Sequence, residues 1–264
     1  MKTYFQIIKN TWAEMMMYRL NFVLWRVRWV VQRLVVYFLW WAIFANRQEI
    51  FGYSQSMILT YVLLGSIVGT FVLGTTTMDI GGVINQGNLS NFLIRPVDFF
   101  RYYLARDIGD KLLNVVFAVV EIAILVLLLR PPVFVESNIW YILLSVVAVG
   151  IGALLYFFFS LLLGFFGFWS SDVWSPRFLS MVIMEFFAGG LFPLDILPKP
   201  LFAFARSLPF FYFIYFPIKV YLGQLSVISV VQGLATGLVW VGGLWYIAVL
   251  VWKKGLRVYT AEGK

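Results

Sequence analysis

Arg19, Arg26 and Arg33 stand seven residues apart in a stretch that is otherwise mostly apolar. Seven residues is close to two helical turns, so the three guanidinium groups share one face of a helix. Arg28 and Gln32, four apart, take another face. At ~1.5 Å per residue, Arg33 stands roughly 18 Å in from Asn21. A cation at that depth in hydrocarbon is costly unless it is paired or wet. Two carboxylates, Glu121 and Glu185, lie in comparably apolar surroundings. Two readings follow. In one, Arg26 reaches back to the membrane interface while Arg33 pairs with Glu121 or Glu185. In the other, Arg26 and Arg33 line a route for an anionic headgroup or amphiphile. Other chemistry is excluded by composition: with neither cysteine nor histidine, thiolate nucleophiles, the usual zinc ligands and histidine proton relays are missing. A G-x-x-x-x-G-K-[ST] phosphate loop is also missing, so the chain is expected to hold no ATP, no other cofactor and no metal, and not to be an enzyme.

The elements that carry these charges belong in a bilayer. Hydrophobic residues make up 62% of the chain and charged residues 12%, against about 25% charged in ordinary globular domains. The pattern predicts an all-α polytopic protein with six transmembrane helices, forming a single domain over residues 1–264. The expected spans are Asn21–Ala45, Ser56–Met78, Lys111–Leu129, Ile139–Phe168, Phe178–Leu197 and Ser226–Trp252. Glycines inside them, such as Gly65, Gly69 and Gly152, allow close helix packing in lipid. Residues 1–20 repeat apolar positions at Phe5, Ile8, Trp12 and Met15, which predicts a helix lying in the interface.

Lys and Arg in the connections set the orientation. Lys2, Lys9, Arg19, Arg95, Arg101, Arg106, Lys111, Arg177, Lys253, Lys254, Arg257 and Lys264 fall on one side; Arg47, Arg130, Lys199, Arg206 and Lys219 fall on the other. Both termini and the loop at 79–110 are therefore expected in the cytoplasm, with the protein in a plasma membrane of the bacterial inner-membrane type. The net charge of +8 needs no nucleic acid, because basic residues flanking spans face anionic lipid headgroups.

Two connections stand out. The loop at 79–110 is polar and charged, yet offers Val83, Ile84, Leu89, Phe92 and Leu93 as apolar knobs for a soluble partner. The segment at 192–222 is apolar but carries Pro193, Pro198, Pro200, Pro209 and Pro217, which no straight helix tolerates. It is expected to form re-entrant short helices between spans five and six, with its backbone sheltered by protein.

In this setting the chain resembles the membrane-spanning subunit of an ABC exporter of the ABC-2 type. The resemblance is carried by Gly87, Leu89, Leu93, Arg95 and Pro96 (GNLSNFLIRPV), similar to the family's coupling-helix stretch. Gly189, Gly190, Pro193, Leu197 and Pro198 (GGLFPLDILP), followed by Leu208-Pro209-Phe210, are similar to its later "SG…FP…LP…LPF" pattern. Tyr18-Arg19 to Phe22 (YRLNF) resembles the opening of a subgroup of uncharacterised permeases. Gln86 stands where many members carry an acid. The resemblance implies P-loop ATPase subunits that bind ATP and magnesium, and a second permease in a homo- or heterodimer. It further implies a coupling role for the 83–96 stretch, a gate formed by Gly189, Gly190, Pro193, Pro198 and Pro209, and outward movement of an amphiphilic, lipid-like, peptide or drug substrate. The rival readings are a secondary transporter driven by an ion gradient, for which midplane acids are few, and a scaffold or sensor coupled to an ATPase. A membrane-embedded enzyme is disfavoured by the residue types already noted.

Overall fold

A computed structural model describes residues 2–260. Apart from a two-residue β-hairpin, β1 (Glu49–Ile50) paired antiparallel with β2 (Tyr53–Ser54), every regular element is helical. The helices are α1 (Lys2–Met17), α2 (Arg19–Ile43), α3 (Gln55–Leu73), α4 (Ile80–Asn85), α5 (Ser90–Leu93), α6 (Phe99–Leu129), α7 (Ile139–Phe165), α8 (Trp174–Phe187), α9 (Lys199–Ser207), α10 (Tyr215–Tyr221) and α11 (Val227–Val258). Short 3-10 turns extend α7 to Phe168 and sit at Thr76–Asp79, Leu194–Ile196 and Pro209–Tyr212.

Among the described residues, four helices are long and apolar enough to cross a bilayer: α3, α6, α7 with its 3-10 extension, and α11. A bent pair, Lys199–Ser207 with Pro209–Tyr221, would make a fifth if it crossed as one, but its halves meet at 82°. The six expected spans are thus not six straight apolar rods. α2 has the length, 25 residues or ~37 Å, but its arginines spoil its apolarity. The largest departure is the fifth. The expected helix Phe178–Leu197 stops at Phe187, leaving α8 at 14 residues or ~21 Å. Gly189 follows with φ +79°, a left-handed conformation that favours glycine. The third departs the other way: α6 begins at Phe99, twelve residues before the expected Lys111, because Asp98 caps it by accepting the Arg101 N–H (2.9 Å). It ends where Arg130 turns left-handed and Pro131-Pro132 cannot continue a helix.

α7 is the central strut, packed against α3, α10 and α11. Small residues make this possible. α11 passes the Phe216 ring at Gly233 and the Phe168 ring at Gly255 so closely that a Cβ would collide. α1 lies along α6, where Trp12 Nε1 donates to the Gly109 carbonyl (2.7 Å) and Ile8 rests against Gly109. Two apolar cores result. One joins α2, α3, α7 and the segment 211–222; the other gathers Ile80, Ile84, Leu89, Phe99, Tyr103, Phe157, Phe165 and Phe168 beneath the charged loop. The faces turned away from both cores are apolar: Leu20, Leu24, Val31 and Val35 on α2, and Leu127 and Leu128 on α6, are all exposed, as lipid contact requires.

Candidate functional site

α3 runs between two irregular regions at opposite ends of the molecule. At one end lies the charged loop. α3 ends at Leu73, where Lys111 Nζ donates to the Val72 carbonyl (3.3 Å) and to that of Gly74, and pairs with Asp107 (3.3 Å). Arg177 of α8 donates from Nη2 to the Thr77 carbonyl (3.0 Å) and from Nη1 to Ser160 Oγ (3.1 Å), which also accepts from the Thr77 hydroxyl (2.6 Å). α4 then lies against the 3-10 turn after α7, with Val173 packed on Gly81, and Asn85 Nδ2 donates to the Ser171 carbonyl (2.9 Å). Gly87 turns the chain with φ +73°. Its carbonyl accepts from the Tyr259 hydroxyl, whose oxygen in turn accepts the Ser90 N–H (3.0 Å). Arg106 bridges the loop to α1 through Asp79 (3.4 Å) and Glu14 (3.0 Å).

This geometry divides the expected coupling residues. Leu89 is fully buried and Ile84 nearly so, both in the core beneath the loop, so neither is a knob for a partner. Val83 and Phe92 are half-buried, and Gly87 is buried in its turn. Leu93 (49% exposed), Arg95 and Pro96 face outward. The most exposed apolar side chain on the loop is Ile94, at 83%, and Met78 also projects. Ile94 was not among the apolar knobs expected from the sequence. Tyr259 had no sequence signal, being a lone tyrosine near the C-terminus, and Arg177 read only as a flanking cation. On the adjoining loop, Asp172 caps the start of α8. Hydrogen bonds from the Ser175 hydroxyl and N–H, then from Trp174, hold its carboxyl below the usual range.

At the other end α8 gives way to Ala188–Pro193. Three successive carbonyls here are each met by a side chain from α2 or α3. Tyr61 donates to Gly189 (2.6 Å), Arg33 Nη1 to Gly190 (3.0 Å) and Trp40 Nε1 to Leu191 (3.2 Å). The Tyr215 N–H adds a bond to Ala188 O (2.9 Å). Non-helical backbone can lie within a membrane when protein satisfies it in this way. Beyond Pro193, Lys219 is buried at 6% exposure and donates to Asp195 (2.5 Å), the Tyr53 hydroxyl (2.6 Å) and Gln224 (2.5 Å). Tyr53 donates onward to Asp195 (2.9 Å). Burial, reinforced by the Asp195 charge, holds the Tyr53 hydroxyl well above its ordinary range, so it stays a donor. Lys219 had read as an ordinary loop cation; the fold makes it the hub that joins the hairpin, the proline-rich segment and α10. Of the expected gate residues, Gly189, Pro193 and Pro209 are buried, Gly190 is half-buried and Pro198 is exposed.

The charged stripe resolves differently from the expectation. Arg26 does not reach for the interface. It grips Glu121 of α6 in a two-pronged pair (Nε–Oε1 2.7 Å, Nη2–Oε2 2.5 Å), with Asn114 at 3.4 Å. Arg33 forms no ion pair among the described residues and goes instead to the Gly190 carbonyl. Glu185 is exposed on α8, among Met181, Val182 and Phe186, which are exposed too. Of the sequence-level cations, Lys264 lies outside the described residues.

Apolar helices of spanning length, held between two ends of satisfied irregular backbone, define a multi-pass all-α membrane protein. Its family is narrower. The family model described as ABC-2 family transporter protein matches residues 30–263, nearly the whole chain, and the protein belongs to that family of ABC-transporter permeases. A comparison with curated proteins found no match.

Proposed function

We propose that this chain is the transmembrane subunit of an ATP-driven ABC exporter, with both termini and the charged loop in the cytoplasm of a plasma membrane. The supporting observation is the loop at 74–98. Its backbone is anchored by Lys111 of α6, Arg177 of α8 and Tyr259 just beyond α11, while Leu93, Ile94, Arg95 and Pro96 are exposed. A lever needs that combination: a free surface for a soluble ATPase to push, and rigid ties that carry the push into α6, α8 and α11. ATP and magnesium belong to that partner, since this sequence carries no phosphate loop.

The transport path requires a second permease. Glu185 is a carboxylate exposed on an apolar helix too short to span unaided, and such a group in lipid calls for cover. A second subunit seated on α8 and the outer face of α2 supplies it. The substrate is an amphiphile, and Arg33 and Glu185 are the charges beside its route. The proline-rich segment 192–222 closes the route at the external end.

Co-purification tests the coupling surface. The double variant L93D/I94D should keep its thermal stability in detergent and lose its P-loop ATPase partner, with binding reduced by at least about tenfold for two exposed anchors. Full retention of a catalytically stimulated ATPase by a stably folded L93D/I94D would refute the lever.

A further inference from the structure

A groove of about 650 Å³ opens at the charged-loop end between α6, α7 and α11, within the ~300–1,000 Å³ typical of ligand sites. The coupling surface borders it, through Leu93 and Arg95, but the groove runs on between the spans, away from that surface and from the path beside α2 and α8. Its walls are apolar: Phe100 and Leu104 from α6, Phe158 from α7, and Trp245 and Val249 from α11. Its mouth is cationic. Arg95, Arg101 and Lys253 all line it and all are exposed. None of the three side chains is in an ion pair among the described residues; the Arg95 guanidinium only lies over the Phe92 ring (5.3 Å). The single acid at the mouth, Asp98, already serves as the cap of α6 by accepting the Arg101 N–H.

The layout has a direction. Trp245, Val249 and Lys253 are spaced four apart on α11, so they lie along one face. From Lys253 to Trp245 is roughly 12 Å along the helix axis. The groove therefore runs from three cations at the membrane surface into the apolar depth of the span. A free phosphate would fill only the mouth, and an uncharged alkyl chain only the walls. A molecule with an anionic head and an acyl tail matches both.

We propose that this groove holds an anionic phospholipid of the adjoining leaflet, its phosphate on Arg95, Arg101 and Lys253 and an acyl chain along Phe158, Val249 and Trp245. The site requires that the chain spans a membrane, but neither the ATPase partner nor the transported substrate. Because Arg95 adjoins Leu93 and Ile94, a lipid seated here would brace the coupling surface from the membrane side.

Tryptophan quenching of the full-length protein in mixed micelles tests this. The probes are phosphatidylglycerol and phosphatidylcholine carrying the same brominated acyl chains. The groove signal is the quenching lost in W245F/W252F. Phosphatidylglycerol should produce that signal at a several-fold lower lipid fraction than phosphatidylcholine, and K253Q alone should weaken its binding about fivefold, as for one cation at an anionic surface. R95Q/R101Q/K253Q should abolish the preference, while excess inorganic phosphate should leave the acyl quenching in place. Equal quenching by the two lipids would overturn the proposal. So would a preference that survives in a folded triple variant; if that variant also fails to capture the ATPase, the mouth belongs to the soluble partner instead. Should the triple variant not fold, an unchanged phosphatidylglycerol affinity in K253Q is the overturning result.

Discussion

The two irregular ends of this molecule solve one problem by similar means and leave opposite surfaces. At each end the chain leaves helical geometry, and three long side chains from distant helices meet the freed carbonyls. Lys111, Arg177 and Tyr259 do so at the charged loop, and Tyr61, Arg33 and Trp40 at the break after α8. Beyond the break, Phe211–Val220 are buried without interruption. In the charged loop, Leu93–Pro96 are exposed without interruption. The break is thus closed by its own protein, and the loop leaves a surface open. Satisfying backbone donors and acceptors is a requirement of folding in lipid and says little about role. What distinguishes the ends is which side chains remain once that requirement is met.

The sharpest way to break this contrast is to put a charge on the two kinds of leucine in the loop. Leu89 is an anchor, sealed in the core with Ile80, Phe99 and Phe165. Leu89→Asp should cost on the order of several kcal/mol, since it strands a carboxylate among apolar groups. The expected result is loss of folded protein, seen as aggregation in size-exclusion chromatography. L93D/I94D should elute as the parent does. If Leu89→Asp purified as well as L93D/I94D, the division of the loop into a buried and a presented face would be wrong.

The closed end should respond in a graded manner. Lys219, Tyr53, Asp195 and Gln224 form one network, so removing a single member leaves others without partners. Lys219→Met takes the cation from Asp195 and the donor from Gln224, while Tyr53 still donates to Asp195, and about 1–3 kcal/mol is expected from unmet hydrogen bonds to charged groups. The partial exposure of Asp195 places the value toward the lower end. Asp195→Asn in the Lys219→Met background should recover part of that loss, because the uncompensated anion is gone. Thermal unfolding of the two single variants and the double variant gives the coupling directly. Additive losses would mean that these residues meet without depending on one another.

Much of the fold was legible and its breaks were not. The span Ile139–Phe168 was expected at both ends, because an unbroken apolar run is a local signal; in the structure Asn138 caps it. The broken character of 192–222 was legible from its prolines. The end of α8 was not. Glycine occurs inside α3 at Gly65 and Gly69 without breaking it, and Gly189-Gly190 looks no different in sequence. The chain breaks there because Tyr61, Arg33 and Trp40, over a hundred residues away, can receive its carbonyls. The early start of α6 was hidden in the same way: Arg101 to Lys111 read as loop until α1, through Trp12 and Glu14, covers and pairs that stretch. Candidate site residues divided along this line too. Leu93, Arg95 and Pro96 could be named from a motif, but whether Leu89 or Ile94 faces outward is settled only by what packs beneath the loop.

The finest test concerns Tyr259, which sits just beyond α11 and binds the turn between α4 and α5. Its hydroxyl donates to Gly87 O and accepts from Ser90 N, so it clamps both sides of the turn that Gly87 makes possible. Its ring meets Phe168 edge-on (6.3 Å), and that contact needs no hydroxyl. Tyr259→Phe therefore removes the clamp and keeps the packing. Two hydrogen bonds at about 0.5–1.5 kcal/mol each set an upper limit on the stability lost, and water reaching the half-exposed site should reduce it to about 1 kcal/mol. If the charged loop only covers the core beneath it, that small loss is the whole effect. If the loop is a lever, the clamp is its tie to the last span, and ATPase capture should survive while communication across the membrane weakens. The measurement is accessibility of a cysteine at Gly223, next to α10 at the opposite end, in the complex with and without ATP; the native chain has no cysteine to interfere. The expected outcome is an ATP-dependent change in labelling of the parent that shrinks in Tyr259→Phe, with ATPase binding unchanged. An undiminished change would show that the push reaches the spans through Lys111 and Arg177 alone.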